Sequence, residues 1–455
     1  MSHPHLSVLI LAAGRGTRMY SDLPKVLHEI GGKPMLSHVI DTALSLQPTT
    51  VGVVIGHGKD AVRARISQTV QWIEQDQQLG TGHAVQIAMP HLPANGHTLV
   101  LYGDVPLIDR TTLETLLAAA GDGVALLSDV LDHPTGYGRI VREQGEIVGI
   151  VEEKDANAAE KAIREINTGV MVLPNAHLPA WLGKLQNANA QGEYYLTDVI
   201  ALAVADGVTV SGITVRAHHL AAGVNNKLQL FELERIFQKE QAEKLLGAGI
   251  TLRDANRFDL RGSLQHGRDV VIDVNTVFEG DCVLGNGVEI EAHCVLKNVT
   301  IGDGTRIKAF SHLENCTVGA RATIGPFARL RPDAALADEV HVGNFVEIKK
   351  SIVGHGSKVN HLTYIGDTDI GQNSNIGAGT ITCNYDGVNK FRTEIGDDVR
   401  IGSGTMLVAP VTVGDRATTG AGSVITKECP PDKLTLSRAQ QVTVRNWKRP
   451  EKNKA

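Results

Sequence analysis

The sequence has few cysteines, few aromatic residues and no long apolar segment. Of its 455 residues, five are cysteine and 4% are aromatic. The cysteines are odd in number and form no CxxC pair, so neither a disulfide framework nor a structural zinc site is predicted. No apolar run approaches the ~20 residues needed to span a membrane, and no basic segment precedes the apolar residues 8–13. These absences predict a cytoplasmic protein without membrane insertion.

An excess of positive charge is also lacking. The chain has 44 Lys and Arg against 50 Asp and Glu, a net charge of −6, which excludes a broadly basic nucleic-acid binder but leaves room for a local cationic pocket. What is abundant is glycine. The 48 glycines exceed the roughly 32 expected from a ~7% background, so one segment must be enriched in them.

The first half alternates strand-like and helix-like segments, which predicts an α/β domain. Strands are predicted at 7–13, 51–55, 98–102 and 124–127, and a helix at 34–46. Such alternation favours a parallel sheet, whose ligands gather beyond the carboxyl ends of the strands. Residues 228–246 then have helical spacing, with Leu230, Leu233 and Phe237 on one face, and are predicted to form a connecting helix.

The glycine excess lies beyond residue 260, in a repeat with a short period. A branched aliphatic residue precedes glycine at 318, 324, 370, 376, 395 and 401, and these positions pair six residues apart. A six-residue repeat suits short strands that turn a corner at each repeat with the aliphatic side chain inward. The pattern predicts a parallel β-helix, of a handedness that periodicity does not reveal. It is interrupted at 330–339 and 386–394, where projecting loops are expected, and Thr419 occupies a position where an aliphatic residue is expected.

A glycine-rich turn, LAAGRGTRM at 11–19, directly follows the first predicted strand. Backbone N–H groups of such a turn bind phosphate oxygens, and Arg15 and Arg18 add positive charge. Met19 replaces the third glycine of the dinucleotide-binding fingerprint, and Gly32-Lys33-Pro34 lacks the Ser or Thr of a P-loop. Both of those nucleotide-binding classes are therefore disfavoured, and the residues alone leave a phosphate site and a plain turn as alternatives.

The turn, Pro24-Lys25, GTGHA at 80–84 and YGDVP at 102–106 together resemble the sugar-nucleotide pyrophosphorylases. With the hexapeptide repeat, the whole chain is similar to the bifunctional family that joins an N-acetylglucosamine-1-phosphate uridylyltransferase to a glucosamine-1-phosphate N-acetyltransferase. The resemblance implies a Rossmann-like nucleotidyltransferase domain at 1–227, a linker helix at 228–248 and a left-handed β-helix at 249–455. It also implies a homotrimer that acts on small molecules, with UTP and acetyl-CoA as co-substrates and Mg²⁺ as cofactor.

Transfer of a nucleotidyl group needs charge neutralisation and alignment of the phosphates. Asp104, at a strand end, is the natural oxygen ligand for Mg²⁺, and the resemblance implies Asn225 as the second ligand. Lys25, with Arg15 and Arg18, would counter phosphate charge. The residues that the resemblance places around UTP and the sugar nucleotide are Leu11, Ala12, Ala13, Gly14, Lys25, Gln75, Gly80, Thr81, Tyr102, Gly103, Asp104, Gly138, Glu152, Asn167 and Asn225.

Acetylation of an amine needs a general base near neutral pH, and the motif context selects His361 among the 18 histidines. The resemblance implies Arg331, Lys349, Tyr364 and Asn375 as ligands of glucosamine 1-phosphate. For acetyl-CoA it implies Ala378, Asn384, Tyr385, Ser403, Ala421 and Arg438. Asn384 and Tyr385 would orient the thioester or stabilise its oxyanion.

Two other hypotheses remain at this point. The first is a nucleotidyltransferase of single activity, in which the β-helix is only a scaffold or regulatory domain. His361 with Arg331 and Lys349 argues against it. The second is a sugar-nucleotide-binding module without activity, which fits Asp104 and the arginine-bearing turn less well than phosphoryl chemistry does.

Overall fold

The computed structural model describes residues 5–452 and divides the chain into two compact units, Met1–Gln238 and Lys239–Ala455. The division falls inside one helix, Lys227–Gly247, so the predicted connecting helix is present. Its first part contributes Leu233 to the apolar core of the first unit, and its last part contributes Ala242 and Leu245 to the core of the second. In the described part of the chain, no helix is long and apolar enough to cross a membrane.

The first unit is built on one twisted sheet with helices on both faces. Each strand predicted from the sequence is present, and so is the predicted helix, Met35–Ser45. In spatial order the strands are Val210–Thr214, Val124–Val130, Glu165–Pro174, His97–Tyr102, Leu6–Leu11, Thr50–Ile55 and Gln71–Glu74, with the hairpin of Arg139–Glu143 and Glu146–Val151 beside Glu165–Pro174. The other helices are Lys59–Arg65, Thr81–Ala88, Arg110–Ala120, Ala158–Lys161, Leu178–Leu182 and Asp198–Ala205.

The sheet is mixed, which corrects the expectation of a parallel sheet. Strand Glu165–Pro174 runs antiparallel to both of its neighbours, Val124–Val130 and His97–Tyr102. After Val124–Val130 the chain passes through a hairpin and the short helix Ala158–Lys161, and it enters Glu165–Pro174 at the end of the sheet where Val124–Val130 ends. The central strands Leu6–Leu11, Thr50–Ile55 and His97–Tyr102 are parallel, and their carboxyl ends meet at one edge.

The second unit is a parallel β-helix, as the repeat predicted. One face is an eleven-stranded sheet in which inward aliphatic residues stack at intervals of 17 or 18, for example Ile290, Ile307, Ile324, Val342 and Val359. Its strands are Thr251–Leu252, Val271–Ile272, Glu289–Ile290, Arg306–Ile307, Thr323–Ile324, His341–Asn344, Lys358–His361, Asn375–Ile376, Arg400–Ile401, Thr418–Thr419 and Leu434–Thr435.

Two further rows of strands complete each turn of the β-helix. Four long strands, Phe258–His266, Thr276–Leu284, Val295–Ile301 and His312–Val318, bend across both rows and then separate into them. The first row continues as Arg329–Leu330, Glu347–Lys349, Tyr364–Gly366, Ile381–Cys383, Met406–Val408 and Val424–Ile425. The second continues as Ala335–Leu336, Ile352–Val353, Thr368–Ile370, Thr393–Ile395 and Val411–Val413.

The structure corrects one detail of the repeat, explains a second and agrees with a third. Residues 330–339 do not project, because Leu330 and Leu336 are buried in the core like their coil neighbours. Thr419 also points inward and satisfies its hydroxyl by accepting a hydrogen bond from the Gly402 N–H, so a polar residue fills an aliphatic position without breaking the coil. The loop that begins near Asp386 does project, and Val388 at its tip is 83% exposed.

Candidate functional sites

The carboxyl ends of the central strands in the first unit border a cavity of about 230 Å³. It collects ten of the predicted residues, which come from five separate stretches of the chain: Leu11, Ala12, Ala13, Gly14, Lys25, Gln75, Gly80, Thr81, Tyr102 and Asp104. The turn at 11–19 packs closely against Lys25 at this cavity. Glycine is needed at position 16, because its φ is 63° and a Cβ there would lie 2.5 Å from Lys25 Cβ. The predicted phosphate-binding turn and the predicted metal ligand thus share one site.

Lys25 lies between the two predicted metal ligands. Its ammonium group contacts the Asp104 carboxylate and lies 3.3 Å from Asn225 Oδ1. A carboxylate and an amide oxygen therefore converge on one cationic position, which is the donor set that hard divalent cations prefer. No cluster of three or more His, Cys, Asp or Glu side chains able to hold a metal occurs in residues 5–452, and Mg²⁺ characteristically uses few protein ligands.

Tyr102 connects the cavity to a second group of predicted residues. The pKa of its buried hydroxyl is raised by burial and by the Glu152 and Asp104 carboxylates, while a hydrogen bond with Thr81 opposes the shift. A Cβ at Gly169 would lie 2.5 Å from the Tyr102 ring, so glycine lets the ring lie against the strand.

Beyond this ring lie Gly138, Glu152 and Asn167. The Asn167 N–H donates to the Gly138 carbonyl at 2.9 Å, and a Cβ at Gly138 would lie 3.3 Å from the Glu152 carboxylate. The pKa of Glu152 is raised chiefly by burial, with further contributions from Asp198 and Asp155, and a hydrogen bond from Thr197 opposes the shift. These residues thus form a polar, partly desolvated surface next to the cavity.

The remaining predicted residues of this site lie outside the cavity lining. Arg15 and Arg18 are exposed on the turn, and Gly103 lies beneath the site, where a Cβ would meet Ala12, Leu36 and Val26. Sequence reasoning missed four lining residues, Val26, Gln78, Ala84 and Glu193. It also missed His83, whose Nδ1 lies 3.1 Å from Gln75 Nε2. GTGHA at 80–84 was a signal for His83 and Ala84, but none existed for Glu193, which comes from a distant loop.

In the second unit, cationic side chains gather on neighbouring coils. Arg331 is paired with Glu347 at 2.8 Å, and Lys349 lies beside Lys390, a residue that sequence reasoning missed. The pKa of Lys349 is lowered, first by its contact with the Lys390 ammonium and further by Arg331. An anion placed among these groups would relieve their repulsion.

His361 is oriented by Asn344 of the preceding coil. Its Nδ1 lies 3.0 Å from Asn344 Oδ1, and this contact favours the tautomer in which Nδ1 donates to the amide oxygen and Nε2 is the acceptor nitrogen. Tyr364 and Asn384 converge over Gly366, where a Cβ would lie 2.4 Å from Tyr364 Oη and 2.9 Å from Asn384 Nδ2. Tyr385 is exposed at the start of the projecting loop, and Asn375 lies on the strand next to that of His361.

The other predicted acetyl-CoA residues follow one corner of the β-helix. The Gly379 N–H donates to the His361 carbonyl, and the N–H groups of Gly404 and Gly422 donate to Ala378 and Ser403 in the same way. Ala421 follows on the next coil, and the Arg438 guanidinium lies near Gly420.

Large side chains occupy this same corner in earlier coils. They are Phe310, Phe327 and Phe345, stacked at 4.9 and 5.3 Å, and then Leu362. From the coil after His361 onward the corner residues are Gly379, Gly404 and Gly422. The corner therefore carries no side chain at the coils where acetyl-CoA is predicted to bind.

Comparison with known proteins finds a different family for each of the two units. Residues 8–164 match the family model of the MobA-like NTP transferase domain, and residues 261–343 and 312–418 match that of the GMPPB C-terminal domain. The chain is 64% identical to the bifunctional protein GlmU of Neisseria meningitidis serogroup B over 450 residues, 99% of each chain. It is 61% identical to the bifunctional protein GlmU of Chromobacterium violaceum over 449 residues, 98% of this chain and 99% of that one.

The chain belongs to the bifunctional GlmU family. It is accordingly a bifunctional transferase, with uridylyltransferase and acetyltransferase activities, and acts on small molecules. Nucleotidyltransferases of the GlmU kind generally use a divalent metal ion, which fits the position between Asp104 and Asn225.

Proposed function

We propose that the second unit acetylates glucosamine 1-phosphate with acetyl-CoA and that the first unit couples the product to UTP with Mg²⁺. The observation that supports the proposal is that the predicted residues gather in two groups in separate units, one around Lys25 and Asp104 and one around His361. The first group offers oxygen ligands for a metal ion, which acetyl transfer does not need. The second offers a general base, His361, which nucleotidyl transfer does not need.

In the first unit, a phosphate oxygen of N-acetylglucosamine 1-phosphate attacks the α-phosphorus of UTP, and pyrophosphate leaves. Asp104 and Asn225 would hold Mg²⁺, which when bound neutralises phosphate charge and aligns the reacting groups. Lys25 holds phosphate oxygens, and Arg15 and Arg18 attract the triphosphate to the turn.

The uridine and the sugar bind on different sides of Tyr102. The backbone of residues 11–14, with Gln75, Gly80 and Thr81, receives the uridine, and Gly103 supports the floor of that cavity. Gly138, Glu152 and Asn167 receive the sugar.

In the second unit, the amine of glucosamine 1-phosphate attacks the thioester carbon of acetyl-CoA. The C–N bond forms, the C–S bond breaks, the amine proton passes to His361 Nε2, and CoA leaves as the thiolate. Arg331 and Lys349 hold the sugar phosphate, while Tyr364 and Asn375 bind the sugar. Asn384 and Tyr385 orient the thioester, and Ala378, Ser403, Ala421 and Arg438 line the channel for CoA.

We also propose that the chain acts as a homotrimer in the cytoplasm. Support for assembly comes from the corner stripe of Phe310, Phe327, Phe345 and Leu362, whose side chains are about half exposed or more. Contiguous exposed apolar side chains of this kind favour association. Light scattering of the purified chain gives its mass, and a mass of one subunit would contradict the trimer.

The decisive experiment measures thiol release from acetyl-CoA with and without glucosamine 1-phosphate. Thiol that appears only with the amino sugar supports acetyl transfer by the second unit. The same preparation is assayed for pyrophosphate release from UTP and N-acetylglucosamine 1-phosphate. Pyrophosphate without any thiol would mean that the β-helix of this chain is only a scaffold.

A further inference from the structure

A buried carboxylate that no step above uses lies at the base of the projecting loop in the second unit. Asp367 is 6% exposed, and its Oδ2 accepts a hydrogen bond of 2.5 Å from Nδ2 of Asn384, which is 8% exposed. Because the acceptor is a carboxylate, this hydrogen bond is charge-assisted. Asp367 therefore contacts a residue that we place at the thioester.

The backbone holds this carboxylate in a fixed place. Asp367 lies at a corner of the β-helix with a φ of 48°, a conformation that aspartate tolerates better than most residues. Its N–H donates to the Lys349 carbonyl at 3.1 Å, and its carbonyl accepts from the Thr393 N–H at 3.1 Å. Its second oxygen, Oδ1, lies 3.9 Å from the Lys350 ammonium.

An ionised carboxylate can only accept hydrogen bonds, so it determines which end of the Asn384 amide faces it. The NH₂ group must point to Asp367, and the carbonyl oxygen Oδ1 must point away from it. With an uncharged residue at 367 that can both donate and accept, the amide could take either orientation. The charge of Asp367 thus selects one of two nearly isosteric arrangements of a site residue.

Asp367 also anchors the neck of the projecting loop. The Asn384 carbonyl accepts from the Phe391 N–H at 2.9 Å, and Tyr385 pairs with Lys390 across the loop. Asn384 and Tyr385 are proposed acetyl-CoA ligands, and Lys390 lies beside Lys349. One buried carboxylate therefore lies beneath a loop that reaches both substrates.

We infer that Asp367 is a positioning residue for acetyl transfer, which holds the Asn384 amide with its carbonyl oxygen directed toward the reacting groups. In that orientation the NH₂ group of Asn384 is engaged by Asp367 and does not stabilise the oxyanion. The carbonyl oxygen of Asn384 instead accepts a hydrogen bond from an N–H of the attacking amine, so the nitrogen lone pair faces the thioester carbon. The inference rests on the proposed acetyltransferase function of this unit. It adds a residue that acts through Asn384 and does not touch either substrate.

The test compares Asp367→Asn with Asp369→Asn. Both substitutions remove one negative charge from the same coil, but Asp369 is paired with Arg392 at the surface and does not contact Asn384. The expected result for Asp367→Asn is a fall in the kcat of acetyl transfer of about tenfold or more, which is the range for loss of a hydrogen bond to a charged group. The KM values for both substrates should change less than kcat, and Asp369→Asn should match the wild type.

A double-mutant comparison distinguishes a positioning role of Asp367 from a general structural effect. It asks whether the effects of substitutions at 367 and 384 on kcat are independent. In an Asn384→Ala background, Asp367→Asn should change kcat by less than about twofold, because the amide that it orients is already absent. Effects of the two substitutions that multiply independently would overturn the inference, as would a wild-type kcat for Asp367→Asn.

Folding is checked in the same chains. Uridylyl transfer should be unchanged in every variant, and the unfolding of the second unit is followed by circular dichroism. Asp367→Gly serves as a second variant, since glycine accepts the positive φ without strain and also removes the carboxylate. It should show the same loss of kcat and the same non-additivity.

Failure of the inference and failure of the proposed function give different results. If the wild-type chain releases no thiol with glucosamine 1-phosphate, the proposed function itself is wrong. If Asn384→Ala impairs acetyl transfer and neither Asp367 variant does, only the inference is wrong.

Discussion

The Lys25 ammonium group donates a hydrogen bond to the Asp104 carboxylate, although 79 residues separate them in the chain. Asn225 Oδ1 lies on the other side of the same ammonium group. A protein cation thus lies between the two oxygens that we propose as ligands of the metal ion. The first two predictions follow from this arrangement.

Asp104→Asn should abolish uridylyl transfer, with a loss of at least about a hundredfold, and leave acetyl transfer unchanged. The substitution keeps the side-chain shape and removes the charge that would hold the metal ion and its phosphates. Pyrophosphate release and thiol release are measured on the same preparation. Asp132→Asn, which removes an exposed carboxylate of the same unit, is the control. Loss of both activities in a folded Asp104→Asn chain would contradict separate sites.

Lys25→Gln should lower uridylyl transfer and raise the affinity of the substrate-free chain for a divalent cation. The ammonium competes with the cation for Asp104 and Asn225, so its removal relieves like-charge repulsion at that position. Titration calorimetry with Mn²⁺ alone measures the affinity without turnover. Lys154→Gln, at the surface of the same unit, is the control. An unchanged or weaker Mn²⁺ affinity would show that Lys25 does not compete for these oxygens.

Glu152→Gln should stabilise the first unit at neutral pH while weakening sugar binding. Because burial raises the pKa of Glu152 in the folded state, the folded chain binds more protons than the unfolded chain between the two pKa values, and stability falls as pH rises through that window. We expect the unfolding midpoint of the variant to exceed that of the wild type by a few degrees at pH 7.5. The difference should disappear below the ordinary glutamic acid pKa of about 4.3. The fluorescence of Trp181, which is buried in the first unit, reports the unfolding of that unit. If the difference between the two unfolding midpoints did not change with pH, the charge of Glu152 would not be its cause.

Asn344→Ala should reduce acetyl transfer because it removes the group that orients His361. The Asn344 oxygen keeps the proton on Nδ1 and leaves Nε2 free to act as base, so its loss should cost about tenfold in kcat. His361→Ala should cost far more, and both variants should keep uridylyl transfer. Retention of near-normal acetyl transfer by His361→Ala would rule out His361 as the general base.

Gly404→Asn should raise the KM for acetyl-CoA by about tenfold or more and leave the fold intact. Asparagine tolerates the positive φ of 70° at Gly404, but its side chain would project into the open corner next to Ala378. Gly304→Asn is the matched control, with a φ of 64° at a different corner of the β-helix. If both variants bind acetyl-CoA like the wild type, the channel does not run along the glycine corner.

The repeat and four strands of the first unit were predictable because they depend on neighbouring residues. An aliphatic residue every sixth position specifies an inward face whatever the rest of the chain does, and the β-helix follows from it. Strand Glu165–Pro174 was not predicted, and its antiparallel pairing with His97–Tyr102 depends on the path of the chain through the hairpin and the short helix before it. The sequence departs from the repeat at 330–339, yet Leu330 and Leu336 are buried in the core, so this segment still forms part of a regular coil.

By itself, the sequence determined the α/β and β-helical halves, the connecting helix and the residue types that each reaction needs. Only the tertiary structure decided which of them meet: Lys25 with Asp104 and Asn225, Lys349 with Lys390, and Asn384 with Asp367. The physical reason is that hydrophobic periodicity acts over a few residues of chain. Pairing of charges and hydrogen-bonding groups acts through space, across separations of 17 to 200 residues.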